Sequence, residues 1–91
     1  MGKIYYLAFP EGERGRKTAA RVTKLLRRAG HAVINPYEIE NADLSRLSDL
    51  LLVCDGLILA GKWREDEGCR DCLKRALLLR LEIVEKWELT G

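Results

Sequence analysis

The feature of the sequence that most constrains its fold is an alternation of short apolar segments with longer amphipathic ones. Four segments of strand length are predicted, each bounded by glycine, proline or charged residues: 4–9, 31–35, 57–60 and 81–85. Helix-length segments separate them. This order predicts a parallel sheet with right-handed crossovers and helices on both faces, that is, an α/β protein.

Three amphipathic segments are predicted to form the connecting helices. The first covers about 16–29, and its aliphatic residues recur at helical spacing. The second is capped by Asn41 or Asp43 and ends before Asp55, and the third begins at residue 66 or 67 and ends at 79. The expected architecture is a three-layer, flavodoxin-like or Rossmann-like fold with a four-stranded parallel sheet of order 2-1-3-4. Ninety-one residues suit a single domain, 1–91.

The overall composition is typical of a globular protein. Hydrophobic residues make up 47% and charged residues 33% of the chain. Apolar runs are all far shorter than the roughly 20 residues of a membrane span, and the N-terminus resembles a first strand rather than a signal peptide. Three cysteines without a secretory signal predict reduced thiols and a cytoplasmic location. Because so short a chain buries a modest core, we expect a homo-oligomer.

The charge of the chain is small overall but unevenly distributed. The formal net charge of +2 is too low to indicate a nucleic-acid partner, yet residues 14–28 contain seven basic residues and no acidic one. These spread around the polar arc of a predicted helix with no aromatic residue among them, which favours a solvated face. Arg14 and Arg16 differ from the others because they flank the loop after the first strand, where a phosphate would reach them.

The switch point of a 2-1-3-4 sheet lies between its first and third strands. Ligands of such folds bind beyond the carboxyl ends of the strands, where free amides at the start of the next helix favour anions. Trp63 is predicted either to stack on a base or to be buried under its loop or in a subunit contact. The candidate ligand-binding residues at these ends are Phe9, Arg14, Asn35, Gly61, Trp63, Gly68 and Arg70.

A series of sequence pieces carries a family likeness. They are Ile4-Tyr5-Tyr6-Leu7-Ala8-Phe9-Pro10, Ala29-Gly30-His31-Ala32-Val33-Ile34-Asn35-Pro36, Cys54-Asp55-Gly56-Leu57-Ile58-Leu59, Gly61-Lys62-Trp63, Gly68-Cys69-Arg70 and Ala76-Leu77. In this order they resemble the nucleoside 2-deoxyribosyltransferase-like superfamily, most closely its small bacterial and phage branch of mostly uncharacterised proteins. The resemblance covers nearly the whole chain.

The resemblance implies a flavodoxin-like fold that binds a nucleoside or nucleotide. Family members of known activity cleave an N-glycosidic bond with a glutamate nucleophile four residues after the glycine that opens the third helix. That glycine matches Gly68, so the glutamate position is Cys72, and Phe9 stands where the family usually has glycine. The implied function is therefore binding, with N-glycosidase or deoxyribosyltransferase activity weak or lost. Asp71 and Tyr6 are the candidate catalytic residues, Cys72 is a further ligand-binding candidate, and no cofactor is expected.

Two other functions are compatible with the sequence. The first is a non-enzymatic, oligomeric interaction module that uses Trp63, Trp87 and the acidic loop at 38–43. The second is a thiol redox protein, because Cys69 and Cys72 form a C-x-x-C pair at a helix start, a setting that lowers a thiol pKa. Both cysteines lie on the apolar stripe of their helix, however, which favours core packing. Further zinc ligands are poorly placed, so no metal is expected.

Overall fold

The computed structural model describes residues 2–10, 12–39 and 47–87, apart from the side chains of residues 48, 86 and 87. Four strands form one parallel sheet in the order β2-β1-β3-β4: β1 is Ile4–Ala8, β2 is Ala32–Ile34, β3 is Gly56–Ala60 and β4 is Glu82–Trp87. The predicted α/β class, the parallel sheet and its strand order are confirmed, and the topology is that of a flavodoxin-like fold.

Two α-helices are described, α1 (Glu13–Arg28) and α2 (Glu67–Leu78). Helix α1 begins three residues earlier than predicted, because Gly12 precedes it with a φ of 123° and Gly15 fits inside its first turns. A side chain at Gly15 would collide with the Pro10 carbonyl oxygen, so the loop after β1 lies directly against α1. Helix α2 begins where expected, with Asp66 as its N-cap.

The predicted second helix differs in its described part. Residues 41–46, which include both predicted caps, lie outside the described residues. Ser48–Val53 forms a 3₁₀-helix that ends at Cys54. Two further 3₁₀-helices, Pro36–Glu38 and Trp63–Glu65, follow the carboxyl ends of β2 and β3.

Alternate side chains of the sheet supply two hydrophobic cores. On one face, Tyr6 and Leu59 pack with α2 and with Leu51 of the Ser48–Val53 helix. On the other face, Leu7 and Ile58 pack against α1. The predicted three-layer arrangement follows directly from this period-2 burial of β1 and β3. Within the described residues, no helix has both the length and the apolar character needed to cross a membrane.

Candidate functional site

Buried aromatic side chains fill the carboxyl edge of β1 and β3. Phe9 is 7% exposed and packs into the core under α1, whereas Trp63 is 7% exposed and packs into the core under α2. The guanidinium carbon of Arg64 lies 4.7 Å from the centroid of the Trp63 ring. Of the roles predicted for Trp63, burial under its own loop is the one observed. The two aromatic rings therefore belong to separate cores on opposite faces of the sheet.

The start of α2 is occupied by a carboxylate of the chain itself. Asp66 Oδ1 accepts a hydrogen bond from the Cys69 amide at 2.9 Å. Gly68 lies next to it, exposed, in the first turn. Arg70 Nη1 donates to the Arg64 carbonyl at 3.0 Å. Gly61, at the end of β3, is exposed and has a φ of 64°. An incoming anion would have to compete with the Asp66 carboxylate for this helix start.

Tyr6 and Cys72 form an internal pair beneath α2. Tyr6 is 2% exposed, and its hydroxyl hydrogen-bonds to the buried Cys72 side chain. Burial raises the pKa of the Cys72 thiol, and burial also raises the pKa of the Tyr6 phenol strongly. Asp71 is exposed on the outer side of the same helix. The structure therefore brings Tyr6 to Cys72 and leaves Asp71 in solvent.

All three cysteines are buried free thiols. The Cys54 thiol donates to the Leu50 carbonyl oxygen at 3.3 Å, and burial, reinforced by Asp55, raises its pKa to about 11. A reactive redox thiol needs a lowered pKa and access to solvent, so the properties of Cys72 do not favour a redox pair. In the part of the chain that the structure describes, histidine, cysteine and acidic side chains form no group of three or more suited to a metal ion.

A groove of about 580 Å³ lies between α1 and the segment after β2. Helix α1 supplies one wall with Arg16, Ala20, Thr23, Lys24, Arg27 and Arg28. Asn35, Tyr37 and Glu38 supply the other wall. The groove includes Asn35, a predicted ligand-binding residue, and Arg16, which was expected to reach a phosphate, whereas Arg14 is exposed in the first turn of α1, outside this lining. The groove lies beside the carboxyl end of β1, one of the two strands that form the switch point.

Asn35 holds the floor of the groove in place. It is 4% exposed, its Nδ2 donates to Thr23 Oγ1 at 3.1 Å, and its Oδ1 accepts from the Tyr37 amide at 3.0 Å. The Tyr37 hydroxyl donates to the Phe9 carbonyl oxygen at 3.3 Å and also hydrogen-bonds to the Pro10 carbonyl oxygen. These bonds tie the groove to α1 and to the end of β1, so its shape is preformed.

The charged side chains of the groove fall into two groups. Arg27 pairs with Glu38 through both guanidinium nitrogens, at 2.9 and 2.8 Å, which raises the pKa of Arg27 and lowers that of Glu38. Arg16, Lys24 and Arg28 have no carboxylate partner among the described residues. The Arg16 guanidinium carbon lies 5.7 Å from the centroid of the Tyr37 ring. The α1 wall is therefore positively charged.

The sequence alone does not indicate this groove, because its two walls come from segments, α1 and residues 35–38, whose contact depends on the tertiary structure. The spacing of Arg16, Lys24 and Arg28 at multiples of four was a usable signal, since it places them in one row of a helix. Comparisons of the chain with protein-family models, with curated proteins and with solved structures give no significant match. Functional inference therefore depends on the geometry of this groove.

Proposed function

We propose that this chain is a nucleoside- or nucleotide-binding protein, similar to the nucleoside 2-deoxyribosyltransferase-like superfamily, in which glycosidic-bond chemistry is weak or lost. The observation that carries the proposal is the preformed groove with its positive wall, half-buried Tyr37 ring and buried amide of Asn35. Its volume of about 580 Å³ is within the range of small-molecule sites.

The groove offers a separate contact for each part of a nucleotide. Lys24 and Arg28 supply charge for a phosphate, and they have no described carboxylate to displace first. The Tyr37 ring provides a flat group for a base, and the Arg16 guanidinium beside the ring adds positive charge. Asn35 has donor and acceptor capacity beyond its two internal bonds. A nucleoside would retain the base contacts but lack the phosphate contacts.

Cleavage of a glycosidic bond needs a carboxylate placed against the anomeric carbon. At position 72, which matches the family's glutamate by resemblance, the buried thiol is hydrogen-bonded to Tyr6 and its pKa is raised. Glu38 lines the groove, but both of its oxygens are held by Arg27. The described groove thus holds no free carboxylate, which supports binding without efficient cleavage.

Calorimetry with deoxynucleoside monophosphates and the matching nucleosides tests the proposal. We expect the monophosphates to bind about tenfold more tightly, which corresponds to roughly 1.4 kcal/mol from the phosphate contacts. Lys24→Gln should remove most of this preference, whereas Lys74→Gln, an exposed lysine of α2, should not. Chromatography of the same mixtures should show no free base. Absence of binding at millimolar ligand refutes the proposed binding, and sustained base release refutes the loss of catalysis.

Exposed aliphatic side chains favour a second candidate function, self-association. Leu52 is 72% exposed and Leu78 is 84% exposed, and they lie on neighbouring segments joined by the Arg75–Asp49 ion pair at 2.8 Å. Trp63, predicted as part of a contact surface, is buried, so that part of the prediction is wrong. The side chain of residue 87 and the loop at 40–43 lie outside the described part.

Sedimentation velocity tests self-association. The unmodified chain should sediment as an oligomer at micromolar concentration, and Leu78→Lys should shift it to monomer without loss of stability, because this side chain is exposed. A monomer at all concentrations would contradict this second candidate and leave nucleotide binding unaffected.

A further inference from the structure

Three cations of the groove without a carboxylate partner among the described residues lie in one row along an i, i+4 ridge of α1, which is inclined to the helix axis. Arg16, Ala20, Lys24 and Arg28 follow one another at intervals of four residues, and all four line the groove. At 1.5 Å per residue the row extends over about 18 Å, with about 6 Å between Lys24 and Arg28. The small side chain of Ala20 keeps the middle of the row open. A single phosphate group is too short to contact both ends of such a row.

The opposite wall directs a polyanion towards α1. Glu38 keeps its carboxylate on that wall, and the Arg27 guanidinium that faces it is already neutralised by the pairing. Phosphates would therefore be attracted to Arg16, Lys24 and Arg28 and gain little from the far side of the groove. Tyr37, with Arg16 beside its ring, offers a stacking platform at one end of the row.

We propose that the ligand of the groove is a short single strand of nucleic acid, about three nucleotides long, that lies along α1. This rests on the proposed function, because both require nucleotide recognition in the same groove. Successive phosphates contact the row of cations, and an unpaired base stacks at Tyr37, as in other single-strand sites that combine a positive groove with an aromatic platform. This proposal departs from the expectation drawn from the net charge of +2, because it depends on the local charge of α1 rather than on the net charge of the chain.

A competition experiment tests the inference. A fluorescently labelled single-stranded hexanucleotide is bound at low salt and displaced by unlabelled mono-, di-, tri- and hexanucleotides, with anisotropy as the readout. Affinity should rise at least tenfold from one to three nucleotides and then level off. The logarithm of the affinity should fall with the logarithm of the salt concentration with a slope of about −2, as expected for three phosphate contacts on a single strand.

Two charge-matched double variants locate the contact. Lys24→Gln with Arg28→Gln should weaken trinucleotide binding at least tenfold and reduce the salt slope to below about one. Lys17→Gln with Lys74→Gln removes the same charge from exposed positions outside the groove lining and should leave both quantities nearly unchanged. Circular dichroism confirms that each variant is folded.

Three results would overturn the inference. If a mononucleotide competes as well as the trinucleotide, the proposed nucleotide binding is retained but an extended single strand as the ligand is refuted. If inorganic polyphosphate or duplex DNA competes as well as the single strand, the proposed stacking of an unpaired base on Tyr37 is refuted. If both double variants weaken trinucleotide binding equally, specific contact with the row of cations on α1 is refuted. If neither mononucleotides nor oligonucleotides bind in calorimetry, the proposed function itself fails.

Discussion

The two hydrogen bonds of the buried Asn35 side chain are expected to stabilise the folded protein. Asn35→Ala removes the bond to Thr23 Oγ1 and the bond from the Tyr37 amide, at 3.1 and 3.0 Å. A buried hydrogen bond contributes about 0.5 to 1.5 kcal/mol net, so the two together correspond to about 1 to 3 kcal/mol of unfolding free energy. The exposed fraction of Asn35 is only 4%, which favours the upper part of this range.

A double-mutant cycle separates the two bonds of Asn35. Thr23→Val removes the hydroxyl and should cost about 1 kcal/mol. The double variant should cost about 1 kcal/mol less than the sum of the single variants, because each single change breaks the same Asn35–Thr23 bond. Urea unfolding followed by circular dichroism measures all four proteins. Strict additivity would show that the two side chains are not coupled, which would refute the described floor of the groove.

Further predictions concern one cap, one thiol and one glycine. Asp66→Ala should cost about 1 kcal/mol in urea unfolding, because the Cys69 amide loses its acceptor, and Asp66→Asn should cost less. Since the pKa of Cys54 is raised from near 9 to about 11, its contribution to stability is complete below pH 9 and falls as the pH rises to 11, by up to about 2 to 3 kcal/mol. Cys54→Ala should therefore lose less stability than the parent between pH 8.5 and 10.5. Gly15→Ala should lower the thermal midpoint by several degrees, because the new methyl group meets the Pro10 carbonyl oxygen.

Each of these predictions has a specific contradiction. If Asp66→Ala and Asp66→Asn lower the unfolding free energy equally, the Asp66 side chain does not cap α2 as described. Parallel pH profiles for Cys54→Ala and the parent would show that the thiol is not the group responsible. Gly68→Ala is the comparison for Gly15→Ala, since its added methyl group would be 3.2 Å from a side-chain oxygen of Asp66 rather than in collision with a backbone oxygen, and equal losses from the two changes would contradict the close approach at Gly15.

The fold was predictable because its determinants are local and repetitive. Uninterrupted apolar runs such as β3 indicate strands buried on both faces, and their alternation with helical patterns indicates a parallel sheet. The errors have local causes. The predicted start of α1 was too late because Gly12 and Gly15 resemble loop residues. Gly15 is in fact inside the helix, where the Pro10 carbonyl oxygen lies too close to leave room for a side chain. Ser48–Val53 has an apolar pattern compatible with either helix type, and the 3₁₀ geometry is not evident from spacing.

The candidate site was less predictable because it depends on which side chains fill space. Topology alone directed attention to the edge of β1 and β3, but Phe9 and Trp63 are large enough to turn inward and close their own cores there. The groove requires the contact between α1 and Tyr37, whose hydroxyl bonds to the end of β1 across 28 residues of sequence. Asn35 was identified from its place after a strand, and its partner Thr23 carried no signal of its own.

Nucleotide binding in the α1 groove can be located by mapping the chemical shifts of backbone amides during titration with a deoxynucleoside monophosphate. If nucleotides bind in the groove, the largest shifts should occur at Ala20, Thr23 and Tyr37, which line it. Shifts confined to the segment from Gly61 to Arg70, or no shifts at millimolar ligand, would contradict binding in the groove.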